Sequence, residues 1–204
     1  IGTDPHAEKT IDAAGLEIYP GFVDAHSHIG LDGYGEPGVD INERNDICCP
    51  QLRAIDGVNP MDESFVYARS AGITCVCTGP GSANVLGGTF TAIKTAGTRI
   101  DDMIVKKEAA MKCAFGENPK RCYASKCDSS RMTTAAILRE ALMKARLYLQ
   151  KKEAAGDDVF RQPAFDMKLE ALIPVLRGQI PLKAHAHRAD DIFTAIRIAD
   201  EFGV

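Results

Sequence analysis

Residues 20–30 read PGFVDAHSHIG. Pro20 has no backbone N–H to give a ladder, so a strand starts at or just after it. Residues 21–28 then alternate around apolar side chains, as a short buried strand does. With a period of two, Asp24, His26 and His28 point one way and Val23, Ala25 and Ser27 the other. Two steps of strand rise leave His26 and His28 roughly 6–7 Å apart, and from there both imidazoles reach one divalent ion at about 2.0–2.1 Å. A single HxH pair is also what two ordinary core or surface histidines look like.

A second pair changes the reading. Residues 181–187 read PLKAHAH, and the same alternation groups Lys183, His185 and His187 against Leu182, Ala184 and Ala186. Four of the five histidines therefore lie in two HxH pairs near the carboxyl ends of two expected strands. Barrel enzymes build their sites at that end.

Outward from these motifs the chain alternates strands and helices. Residues 73–78 form a compact β-branched strand after a short helix over 61–70. Residues 79–88, GPGSANVLGG, make a glycine-rich loop; it has the backbone donors to cradle an anion but no phosphate-loop Lys-Ser/Thr, and plain turn chemistry is the simpler reading. Residues 90–94 are a weak strand, and 103–115 hold a better one near their end. Apolar residues at helical spacing mark a long amphipathic helix over 132–155. A polar hinge at 156–162, a helix at 166–177, a strand at 180–186 and a closing helix at 189–202 follow. Such alternation predicts an α/β fold with a mostly parallel sheet. Four or five strands are only part of a (β/α)8 barrel, which needs eight and about 250 residues. The long polar segment 29–60 is of the kind that carries function.

Composition narrows the partners. The net charge of -4, with no clustered basic stripe, gives nucleic acid nothing to bind electrostatically. No apolar run approaches the roughly 18 residues of a membrane span. A small-molecule substrate and a cytoplasmic setting are expected. Seven cysteines in no disulfide-framework spacing fit reduced thiols; Cys75 and Cys77 read as apolar packing, and Cys48, Cys49, Cys122 and Cys127 match no ordinary zinc spacing. Residues 1–19 hold two β-prone pieces around a turn at Gly15 and read as the tail of something begun earlier, while Val204 opens what would be a next strand.

PGFVDAHSHIG resembles the first-strand signature of the amidohydrolase superfamily, and IDAAGLEIYPGF before it resembles the usual approach from a small β-sandwich domain. KAHAHRADD, residues 183–191, is similar to the fifth-strand histidine region of the imidazolonepropionase-like branch. The resemblance implies a partial (β/α)8 TIM-type barrel over residues 20–204, with a β-sandwich remnant over 1–19. It implies His26 and His28 as ligands of the more buried metal, His185 as a ligand or bridge from the fifth strand, and His187 or Arg188 as the catalytic residues facing substrate. An intermediate-strand ligand is implied too. Glu117 is favoured because it lies just past a strand end beside Gly116, and Lys112, if carboxylated, competes with it. One or two zinc-like ions would then serve a hydrolase of carbon–nitrogen bonds (amide, cyclic amide or peptide-like). The pattern further implies a histidine on a sixth strand and an aspartate on an eighth, and residues 1–204 offer neither strand. Residues 1–204 alone are thus expected to be nearly inactive. The rival readings are a non-catalytic metal-binding half-barrel, completed by a partner or by homo-oligomerisation that covers its edges, and an open-sheet ligand-binding domain without metal.

Overall fold

The computed structural model describes residues 8–33, 39–126 and 129–204. Residues 1–7 of the expected sandwich remnant and Cys127 lie outside them. Five strands, β1 (Phe22–Ser27), β2 (Ile73–Thr78), β3 (Leu86–Lys94), β4 (Ile104–Ala114) and β5 (Leu182–His185), form one sheet in chain order. β1 pairs parallel with β2, and β4 with β5, but β3 runs antiparallel to both its neighbours.

The expectation of a mostly parallel sheet fails at β3, and the reason is connection length. A parallel return needs a crossover of a dozen or more residues, whereas residues 79–85 link β2 to β3 without a helix. The strand also begins earlier than expected, at Leu86 inside the glycine-rich run. Beyond the end of β2 the segment 48–53 pairs along it, through bridges Cys48–Leu86 and Arg53–Thr89. With β3 reversed, β1, β2, β4 and β5 all run one way. The two HxH motifs therefore sit at the same end of the sheet.

The helices are α1 (Glu63–Ser70), α2 (Ile100–Met103), α3 (Glu117–Cys122), α4 (Arg131–Ala155), α5 (Met167–Leu176) and α6 (Ala189–Phe202). α4 opens on a capping box, with Ser130 and Thr133 each bonding the other's backbone N–H, which satisfies donors the first turn leaves free. α5 opens on Asp166, whose carboxylate accepts from the N–H groups of Lys168 and Leu169. Residues 8–20 form no strand, only a turn closed by a Leu16 N–H to Ala13 O bond of 2.9 Å.

Both hydrophobic clusters lie on one face of the sheet, here called the outer face. Met111 and Cys113 of β4 pack with Leu138, Leu142 and Ala145 of α4, Leu172 and Val175 of α5, and Ile198 and Phe202 of α6. Val76 and Ile93 pack with Phe65 of α1, Met103, Leu31 and Val58. Alternation then leaves the residues between them, including Lys112, Lys183 and His185, on the inner face. Cys75 and Cys77 share this face and are only half-buried, so they do not join the apolar packing expected of them. No helix among the described residues is long and apolar enough to cross a membrane.

Candidate active site

The first histidine pair is fixed by its strand and by the loop after β2. His26 and His28 rings meet edge to face, 5.0 Å between centroids. His28 Nδ1 lies 2.7 Å from the carbonyl oxygen of Gly79. A carbonyl only accepts, so Nδ1 donates this bond, and in the neutral ring Nε2 carries the lone pair. Thr78 Oγ1 donates to Ile29 O at 2.8 Å, tying the end of β1 to the end of β2. Burial, together with the charges of Lys112, Lys183 and His28, lowers the His26 pKa to about 4 against the opposing pull of Asp24. His26 is thus neutral at pH 7, the form that ligates a metal.

The second pair stands on β5 and just beyond it. His185 and His187 also meet edge to face, at 4.5 Å. The His185 carbonyl accepts from Phe115 N–H at 2.9 Å, holding the end of β5 to that of β4. His185 Nε2 is buried and has no hydrogen-bond partner among the described residues. Burial first, then Lys112 and His187, push the His185 pKa down.

Phe90, fully buried on β3, is the centre of this inner face. Its ring centroid is 5.3 Å from that of His26 and 6.0 Å from that of His28. Lys183 Nζ lies 4.6 Å from it and Lys112 Nζ 5.7 Å. Lys183 also donates to the carbonyl of Ala25 on β1 at 2.5 Å. Burial lowers the Lys112 pKa to about 8; Cys113 opposes this and Lys183 adds to it. Neither Phe90 nor the pairing of the two lysines was evident from the sequence. Nothing in the apolar run around Phe90 distinguishes an inner from an outer side, and only the shared parity of Lys183 with His185 hinted at the rest.

The other candidates sit at the rim. Glu117 is the first residue of α3, and its half-exposed carboxylate is bonded by Arg131 at 2.7 Å and Lys120 at 3.1 Å. Those bonds hold its carboxyl below the usual range. Arg131 also bridges to Asp191 at 2.8 Å, and Asp191, expected as an ordinary first-turn acid of α6, is instead buried. Arg188 forks onto Asp190 in an exposed pair at 2.9 and 2.8 Å, beside an exposed His187. Among the described residues no three His, Cys, Asp or Glu side chains stand close enough together to hold a metal ion.

No protein-family model matches the chain. The chain is 44% identical to a solved amidohydrolase from Thermotoga maritima, covering 97% of this chain and 55% of that one with a TM-score of 0.86. It is 32% identical to the amidohydrolase tasK of Hapsidospora irregularis over 94% of this chain and 22% of that protein. The chain belongs to the amidohydrolase superfamily. A segment of 29 residues is also 66% identical to an adenine deaminase of Listeria monocytogenes. The chain thus spans just over half the length of this structural relative and about a fifth of this curated one.

The superfamily implies a divalent ion, and the inner face of the chain carries donors of the right chemistry for one, although no three of them converge as they stand among the described residues. His28 presents a bare Nε2 oriented through its other ring nitrogen, the arrangement metal-binding histidines ordinarily show. His185 presents a buried ring nitrogen with no other partner, and His26 is held neutral.

Proposed function

We propose that the chain supplies the first part of a hydrolase that cuts carbon–nitrogen bonds of the amide, cyclic amide or peptide-like type. The observation that carries this reading is the His26–His28 pair at the carboxyl end of β1, with His28 Nδ1 anchored on Gly79 O so that Nε2 is free. In this reading His26 and His28 bind the ion, and His185 and Glu117, which do not stand within reach of a common ion with them as they lie, close on it, Glu117 by giving up its rim ion pairs. One or two zinc-like ions there supply Lewis-acid polarisation of the scissile carbonyl and a water whose pKa is lowered to about 7. His187 and Arg188, at the rim of the same end, orient the substrate; Arg188 has the planar fork that grips a carboxylate. The barrel is of the TIM type, completed by strands beyond these five, and the setting is cytoplasmic. The spacing of the seven cysteines, unlike a disulfide framework, supports the last point.

The test is elemental analysis of the full-length protein purified without added metal, beside His26→Ala and His28→Ala, with hydrolysis of a panel of cyclic amides. Stoichiometric zinc-like metal in the wild type, lost with hydrolysis in both variants, is the expected result. Metal content indifferent to both substitutions sinks the reading.

A further inference from the structure

We propose that Lys112 and Lys183, juxtaposed across β4 and β5 beside the histidine pair, form a subsite for a carboxylate group of the substrate. This deepens the proposed function and rests on its placing of the reacting bond at the histidines.

The two lysines are direct partners in the β4–β5 register, and both ammonium groups stand over the Phe90 ring that also borders His26 and His28. A small molecule gripped at the lysines therefore lies within its own length of the imidazoles. The arrangement is costly without an anion. Like charges opposite one another on adjacent strands repel, and Lys112 is 1% exposed, where an ammonium lacking a partner is strongly disfavoured. No carboxylate of a described residue pairs with either lysine. The Asp24 carboxylate accepts from the backbone N–H of His26 instead. Lys183 donates to Ala25 O and lies 3.9 Å from Cys77 Sγ. The Lys112 ammonium makes no hydrogen bond to a described residue, and the face of Phe90 offers it only the weaker attraction of a π system.

An ammonium carries three donors, and Lys183 commits one to Ala25. Two such groups side by side match the two oxygens of a carboxylate in charge and number. The enzyme should accordingly favour acidic amides, in which a carboxylate lies a few atoms from the scissile bond.

The experiment titrates the full-length protein by calorimetry with succinate and with its neutral diamide, on metal-loaded and chelator-stripped samples. Succinate is expected to bind both samples and the diamide neither. Lys183→Met and Lys112→Met should each weaken succinate by about tenfold or more, the loss of one charge-assisted bond, while Lys183→Arg retains binding and metal content stays unchanged. If Lys112→Met does not fold, the Lys183 pair decides alone. Succinate binding that disappears with the metal and survives the lysine substitutions overturns the proposal. So does a carbamate signal on Lys112 in protein equilibrated with 13C-bicarbonate, since that lysine would then be an anion. Succinate binding lost with the lysines in a protein that holds no metal and hydrolyses nothing would leave the subsite standing and remove the hydrolase reading.

Discussion

Lys183 Nζ, on the last strand of the sheet, donates to the carbonyl oxygen of Ala25, on the first. Neighbouring strands lie about 4.8 Å apart, so five in a flat row would separate first and last by roughly 19 Å. One lysine side chain does not span that, so the sheet is curled around its inner face. Phe90, on the middle strand, lies under the same ammonium, which places three strands around one side chain. A curled five-stranded sheet with α1, α2, α4, α5 and α6 packed on its outside is what part of a barrel looks like, and the curl brings β1 histidines and β5 lysine together.

The turn that ends β4 depends on Gly116. Its φ of 77° and ψ of -139° belong to a region open essentially only to glycine, and an added Cβ would stand 2.6 Å from Asp191 Oδ2. Gly156 has a comparable backbone, φ 54°, with nothing within 4 Å of an added Cβ. Gly116→Ala is expected to cost about 2–4 kcal/mol and Gly156→Ala about 1–2, the difference being displacement of a buried, ion-paired carboxylate. Urea unfolding of the two variants measures it, and equal losses would mean that Asp191 moves aside freely.

Acid sensitivity follows from Glu170, which joins α5 to α4. Burial pushes its carboxyl up, but the bonds from Lys152 and Tyr148 outweigh burial and hold it below its ordinary 4.5. Tyr148 Oη donates to Glu170 Oε1 at 2.6 Å. Between the folded and unfolded values the unfolded chain binds more protons, so this contribution is complete above about pH 4.5 and is lost as pH falls through the folded value. The melting temperature should therefore drop on acidification below pH 4.5, and Glu170→Gln should be less stable at neutral pH with a shallower acid slope. An unchanged slope in the variant would assign the acid loss to other carboxylates.

Much of this was legible in the sequence because periodicity reports burial. The parity of Lys183 and His185 follows from the pleat alone, the two histidines of the first motif do meet although β1 is irregular between Asp24 and Ser27, and the apolar spacing of Leu138, Leu142 and Ala145 fixes the buried face of α4. What escaped was set by contacts distant in the chain. The reversal of β3 depends on the absence of a crossover helix after Thr78, which the glycine-rich run obscured. Asp191 is buried because Arg131, sixty residues earlier, reaches it, and no local pattern announces that. The facing of Lys112 toward Lys183 is a matter of register between β4 and β5, which neither strand encodes by itself.

Residues 1–204 alone should self-associate. β1 stands at the edge of the sheet with Phe22 and Val23 exposed, and α6 exposes Ile192, Phe193 and Ile196. An unpaired strand edge beside apolar surface is a template for association. Light scattering of these residues is expected to show oligomers that Val23→Lys with Phe193→Glu reduces, together with negligible hydrolysis. A monodisperse, active monomer at every concentration would contradict this.

The last prediction concerns the intermediate ligand, for which Lys112 and Glu117 compete five residues apart. Lys112 already faces the histidines across Phe90, but it becomes a metal ligand only after reaction with carbon dioxide. Glu117 is an anion as it stands, kept so by Lys120 and Arg131. Its ion pairs are half exposed, with the Glu117 side chain 52% accessible, and such pairs are worth only about 0–1 kcal/mol. A divalent cation outweighs that and can draw the carboxylate off the rim, with the turn at Gly116 as the pivot. Glu117→Gln in the full-length protein should therefore lower metal occupancy and turnover more than Lys112→Arg, measured by elemental analysis and by hydrolysis of a cyclic amide. The opposite order, with wild-type activity raised by bicarbonate, transfers the role to a carboxylated Lys112 and leaves Glu117 as a structural partner of Arg131.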